Sequence, residues 1–153
     1  MISQAPGRIA HNKTLAWADP SGNKLRDWLG VDSETFYNPD NFAILPMAFC
    51  YPGKAETGDL PPLKICAPTW HNKVLQKLEQ PTLKILIGKY AQDHYLKDKK
   101  NLTERVKNLK DYLPEYLPLP HPSPVNRFWR AKNPWFEAEM LGFVKEQVRE
   151  VLD

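Results

Sequence analysis

Four prolines at alternate positions, Pro118, Pro120, Pro122 and Pro124 in "LPLPHPSP", forbid a helix from Leu117 to Pro124. Each lacks the N–H that a helix needs and fixes its own φ. Each also pushes the residue before it toward extended backbone. His121 and Ser123 therefore stand in a stiff, non-helical loop, a device for holding a polar side chain in one place. The chain has fifteen prolines in 153 residues, about twice the ordinary share of ~5%. They fall between the apolar segments, so many loops are fixed.

Those segments alternate in kind. "FAILPMAF" (Phe42 to Phe49) and "LKILIG" (Leu83 to Gly88) are short apolar runs bounded by turn residues, and they read as buried strands. "YLPLP" (Tyr116 to Pro120) reads as a short third strand leading into the histidine loop. Helices fit between them. "SGNKLRDWLG" has Ser21 as a cap and stops at Gly30. "APTWHNKVLQKLEQ" sets Trp70, Val74, Leu75 and Leu78 on one face. "TERVKNLKDYL" has Thr103 as a cap. The last helix is capped by Asn133, with Pro134 in the first turn. Its apolar stripe is Phe136, Met140, Leu141, Val144, Val148 and Val151. Lys97 to Lys100 reads as a solvated charged loop. Strands alternating with helices predict an α/β fold, a three-layer α/β/α sandwich on a short, mostly parallel sheet. The length suits one domain over residues 1–153.

Composition narrows the class. An apolar share of 42% and a charged share of 25% are ordinary for a soluble protein. A net charge of +3 permits an anionic partner without demanding one. The longest apolar run, "FAILPMAFC", contains Pro46 and is too short to span a bilayer. No membrane partner is expected, nothing at the start resembles a signal peptide, and a cytoplasmic monomer is the expectation.

In such a fold ligands bind beyond the carboxyl ends of the strands. Three segments qualify by position: "SQAPGR", "GKYAQ" and "HPSPVN". Pro6 and Gly7 make a tight turn with Gln4 beside it. Gly88 and Lys89 occupy a strand-to-helix turn, a natural phosphate-binding place. His121 stands in the third. Each has a plain alternative, since a lone histidine is more often structural and Gly-Lys after a strand is common. Neither a Walker loop nor a GxGxxG is present.

Taken together, "SQAPGR", "WADPSG", "LIGKYAQ" and "HPSP" resemble, in order and spacing, the motifs of the uracil-DNA glycosylase superfamily. The resemblance covers essentially the whole chain and is closest to the iron–sulfur branch, whose first motif also contains "APG". It implies a DNA-repair enzyme that flips a deaminated base such as uracil out of DNA and hydrolyses its N-glycosidic bond. His121 would donate a hydrogen bond to the leaving base. Gln4 and Ala5 would line the pocket and supply backbone donors. Trp17 would stack on the flipped base, though it also reads as a core tryptophan. Pro20, Ser21, Gly88, Lys89 and Ser123 match the loops that pinch DNA phosphates, with Ser123 and Asn126 as further substrate contacts. Val125 would fill the gap left by the base, or fold into the core.

The chain also departs from that pattern. Pro46 stands where the "APG" branch has an asparagine that reads the uracil edge, so that discrimination is lost. Ala5 stands where another branch has an aspartate that orients water. Asp19 is a substitute carboxylate by proximity, and reads more simply as a turn or cap residue. Cys50 and Cys66 read as two buried thiols, with no disulfide expected. They also match the last two cluster cysteines of the iron–sulfur branch. The matching CxxC pair would lie upstream of Met1, so no 4Fe-4S cluster is expected for this chain as it stands, and one is expected if such a segment exists.

Three functions remain open at this point. The first is a DNA glycosylase. The second is a weak or inactive glycosylase-fold protein that binds nucleic acid. The third is an unrelated α/β module whose Lys89 and His121 contact a small phosphorylated ligand.

Overall fold

A computed structural model of the chain describes residues 1–78 and 83–153. Four strands form one sheet: β1 (Ile2–Ser3), β2 (Leu45–Pro46), β3 (Lys84–Ile87) and β4 (Tyr116–Leu119). Their order is β2-β1-β3-β4 and every pairing is parallel. Ile2 registers with both Leu45 and Leu86, and Ile85 with Leu117. The fold is α/β, as the alternation predicts.

The position of the strands follows from their prolines. Proline cannot donate to a ladder, so it is confined to edges. Pro46 lies in β2 and Pro118 in β4, and these are the two edge strands. The apolar run Phe42–Phe49 therefore yields only a two-residue strand at Leu45–Pro46. β1 and β3, free of proline, take the centre.

Side chains alternate across the sheet. Ile85, Ile87, Leu117 and Leu119 enter one core, with Leu25, Trp28 and Leu29 of α2 (Pro20–Leu29), Phe136, and Val144 and Val148 of α8 (Leu141–Leu152). Ile2, Leu45 and Leu86 enter the other, with Ala67 of α4 (Cys66–Leu75), and Ala91 and Leu96 in and after α5 (Lys89–Tyr95). Helices on both faces make three layers. The remaining helices are α1 (Arg8–Asn12), α3 (Ser33–Tyr37), α6 (Leu102–Lys107) and α7 (Arg127–Lys132).

Several local expectations are corrected. Asp19, not Ser21, caps α2, because Pro20 takes the first helical position and the Asp19 carboxylate accepts the Gly22 N–H at 2.9 Å. Asn101, not Thr103, caps α6, in a reciprocal box with Glu104. Thr103 instead accepts the Trp129 indole N–H at 2.9 Å. Asn133 accepts the Trp135 indole N–H rather than a backbone donor, and a π-helical segment, Phe136–Met140, precedes α8. Val151, placed on the last helix's apolar stripe, is exposed. On α4 the buried residues are Ala67 and His71, while Trp70 is exposed under the Lys73 ammonium. The helix ends at Leu75, so Leu78 stands beyond it rather than on its apolar face, and Glu79 and Gln80 lie outside the described residues. The stretch Lys97 to Lys100 is not merely solvated. Asp98 accepts from the buried Arg105 at 2.9 Å, and Asp93 pairs with the same guanidinium at 2.6 Å. A buried charge needs such partners.

β1 leads toward β2 on one side and β3 toward β4 on the other, so the direction of winding reverses between β1 and β3. That reversal opens a crevice at the carboxyl ends of the strands.

Candidate active site

A cavity of about 420 Å³ lies in that crevice. The loop after β1 supplies Gln4, Ala5, Pro6 and Gly7; β2 and its flanks supply Ile44, Pro46 and Phe49; the segment before α2 supplies Trp17 and Asp19; the loop after β4 supplies His121 and Ser123. Segments far apart in sequence thus meet because parallel strands deliver all their exits to one edge.

His121 is the most constrained side chain in it. Pro118, Pro120 and Pro122 are buried and wall its loop. The Asn126 amide donates to the His121 carbonyl at 2.9 Å. The Arg130 guanidinium donates to the Pro122 and Ser123 carbonyls, at 3.4 and 3.1 Å. Trp17 stacks on the imidazole, with ring centroids 5.5 Å apart and planes inclined by 29°. Gly88 lies against the other side. A Cβ there would meet the His121 Cβ at 3.3 Å.

The ring's chemistry follows from these contacts. The Ser123 N–H donates to Nδ1 at 3.2 Å, so Nδ1 is the acceptor and carries no proton. Burial disfavours the imidazolium and pushes the His121 pKa down to about 4. The ring is therefore neutral near pH 7, with its one proton on Nε2. Nε2 has no protein partner among the described residues, and the ring borders the cavity. The loop presents one fixed, neutral N–H donor to whatever enters.

Trp17 is both wall and core. It is 8% exposed and packs in the larger apolar cluster. Its φ of 62° is rare for a bulky residue. The turn is admitted by Gly22, where a Cβ would sit 1.8 Å from the Trp17 carbonyl oxygen.

The other expected residues are placed as follows. Gln4, Ala5, Ser21 and Ser123 line the cavity. Pro20 is exposed at the start of α2. The Gly88 amide is spent on the Leu119 carbonyl at 2.9 Å, so this glycine serves the approach of His121. The exposed Lys89 pairs with Asp93. Asn126 holds the His121 carbonyl and does not line the cavity. Val125 is 52% exposed, beside Gly58, and does not fold into the core. Pro46 borders the cavity, with its carbonyl accepting from the buried His71 at 3.0 Å.

Sequence reasoning missed Asp59, His11, Phe49 and Ile44, which also line the cavity. Ile44 and Phe49 belong to the run read only as a strand, Asp59 and His11 to segments with no motif of their own, and the fold brings them there.

The two cysteines are free, Cys50 exposed and Cys66 half-buried, so neither is the buried thiol expected. Among the described residues no group of three or more His, Cys, Asp and Glu side chains converges as a metal site. Two thiols do not furnish the four that a 4Fe-4S cluster takes. Among the described residues no helix is long and apolar enough to cross a membrane.

The family model described as Uracil DNA glycosylase superfamily matches residues 1–145 of the chain.

Proposed function

The chain belongs to the uracil DNA glycosylase superfamily, and from that premise we propose that it releases uracil or another deaminated base from DNA by hydrolysing the N-glycosidic bond. The observation that carries the reading is His121: a neutral ring, proton on Nε2, unpartnered, at the wall of a base-sized cavity.

The bond breaks by leaving its electron pair on the base, so the site must stabilise a base anion. A donor already aimed at the developing charge does this without reorganising, which is commonly the largest catalytic contribution. Neutrality suits the task. A neutral ring entering the cavity adds no buried charge to desolvate, yet still donates one hydrogen bond to a base carbonyl. Gln4 and Ala5 stand beside the same space. Trp17 offers its remaining ring surface as an aromatic wall, and base–aromatic contact is worth about 1–3 kcal/mol.

A base reaches this depth only by leaving the stack, at a cost of a few kcal/mol. The exposed Val125 suits a residue that fills the vacated gap. Ser21 and Ser123 line the cavity, and with the exposed Pro20 and Lys89 they are the candidate phosphate contacts. Asp93 is shared with Arg105, so its pairing with Lys89 leaves that exposed ammonium available to an anion. The protein would act as a monomer in the cytoplasm without a bound metal.

Base selection is the weakest match to uracil. Pro46 has no side-chain donor or acceptor, and its carbonyl is already taken by His71. That observation favours a second reading, a glycosylase-fold protein that binds nucleic acid without cutting it. Oligonucleotides carrying uracil or hypoxanthine, incubated with the protein and then treated with alkali, separate the two. Strand scission at the modified base is expected. Tight, salt-dependent DNA binding with no scission for either base would leave only the second reading.

A further inference from the structure

A flipped base enters deepest, so its sugar stays at the mouth of the cavity. His121 serves the base. The sugar carbon C1′ becomes positive as the bond breaks, and a carboxylate on that side stabilises it and directs the attacking water. Gln4 and Ala5 bring no carboxylate. Two others line the cavity, Asp19 and Asp59.

Both converge on Gly7. A Cβ built there would lie 3.6 Å from Asp19 Oδ2 and 3.7 Å from Asp59 Oδ2. The missing side chain leaves room between them for a sugar or a water. The two carboxylates differ in what they are already doing. Asp19 Oδ1 accepts the Gly22 N–H and caps α2, tying it to the core. Asp59 sits on an exposed turn closed by the Lys54–Asp59 bridge and by the Leu60 N–H on the Gly53 carbonyl at 2.8 Å. The Tyr51 hydroxyl donates to Asp59 Oδ1 at 3.1 Å. That bond orients the carboxylate and leaves Oδ2 toward Gly7. The same turn reaches the histidine loop, for a Cβ on Gly58 would meet Val125 Cγ2 at 3.5 Å. The segments bearing Asp59 and His121 therefore meet at the mouth.

We propose that Asp59 is a catalytic residue, the carboxylate that holds the attacking water and takes its proton; this rests on the base-releasing function above. The C1′–N bond breaks and its electron pair leaves with the base, whose oxygen accepts from His121 Nε2–H. The water oxygen forms the C1′–O bond and passes a proton to Asp59 Oδ2. Solvent then takes that proton and supplies one to the base anion. Base and an abasic sugar result, with no oxidant or other co-reactant needed.

The test is single-turnover release of uracil or hypoxanthine, whichever the parent protein cuts, by Asp59→Asn and Asp19→Asn. Asparagine keeps the acceptor for Tyr51 in the first and the cap in the second. Asp59→Asn is expected to slow release by about 100-fold or more. Its melting temperature and its affinity for abasic-site duplex should match the parent. Asp19→Asn is expected to lose less. Parent-like release by Asp59→Asn overturns the assignment, and a large loss confined to Asp19→Asn does so by giving the role to Asp19. A loss in Asp59→Asn matched by an equal loss of abasic-duplex affinity also overturns it, making Asp59 a binding residue. A parent protein that releases neither base overturns the function itself and the assignment with it.

Discussion

His121→Ala is expected to lower single-turnover base release by about 100- to 1,000-fold, the usual cost of losing one preorganised donor, while affinity for duplex DNA stays within a few-fold. On the proposed function, binding would rest on phosphate contacts outside the cavity, none of which is His121. Chemistry rests on the Nε2–H, and alanine has none. The variant should stay folded, because the loop keeps its buried prolines and its Asn126 and Arg130 bonds, which engage backbone carbonyls. Those bonds survive the loss of an imidazole. Pro122→Gly should give an intermediate rate, since the donor survives but its placement loosens. A purely structural histidine makes the opposite forecast. His121→Ala would then melt earlier yet release bases at the parent rate per folded molecule. Rates and melting temperatures together decide between them.

Gly88→Ala is the second large effect, and it acts entirely through geometry. Gly88 has φ of 83° and ψ of 172°, a region essentially reserved for glycine, where a side chain costs about 1–3 kcal/mol. The new methyl would also press on the His121 Cβ, at 3.3 Å before any relaxation. His121 is fenced by Trp17 and by its own proline-bound loop, so the two residues move together or the turn distorts. Displacing a catalytic group by about 1 Å costs about 100-fold in rate. The variant should therefore show a lower melting temperature and, at temperatures where it remains folded, base release slowed by about that factor with DNA affinity little changed. Parent-like release from the folded variant would mean that Gly88 does not set the position of His121.

Much of this architecture is legible in the sequence, and what is not has identifiable physical causes. The α/β class followed from apolar runs alternating with helical patterns, and the rigid histidine loop from its prolines. Pro46 and Pro118 stand in the two edge strands, and the run at Phe42–Phe49 yields only two strand residues. β1 was illegible as a strand because two residues carry no periodicity; it is placed by pairing with β2 and β3. The hydroxyl residues Ser21 and Thr103 look like caps, but Asp19 and Asn101 lie two positions earlier in each case, and a cap is settled by which backbone N–H the side chain reaches. Trp70 misled because its neighbour His71 fills the buried position, satisfied by Tyr95 at 2.7 Å and the Pro46 carbonyl at 3.0 Å. In the site, His121, Gln4 and Trp17 were legible from motifs. Asp59 was not, since a turn between Tyr51 and Leu60 announces nothing about which cavity it will overhang. Nor were the contacts that Gly88 and Asn126 make with His121, which depend on how the loops meet in the fold.

Everything catalytic in this account depends on His121 being a neutral donor through Nε2. Its folded pKa of about 4 lies below the ordinary value of 6.5. Between those values the unfolded chain binds a proton that the folded chain refuses, so this residue weakens the fold as pH drops through that window and contributes no further change below it. The direct measurement is ¹⁵N NMR of the imidazole nitrogens from pH 8 to 5, with the His121 signals, among the four histidines, identified by their absence in His121→Asn. The expected result is a neutral His121 ring throughout that range, protonated on Nε2 with Nδ1 bare. An imidazolium at pH 6, or a proton resting on Nδ1, would contradict it.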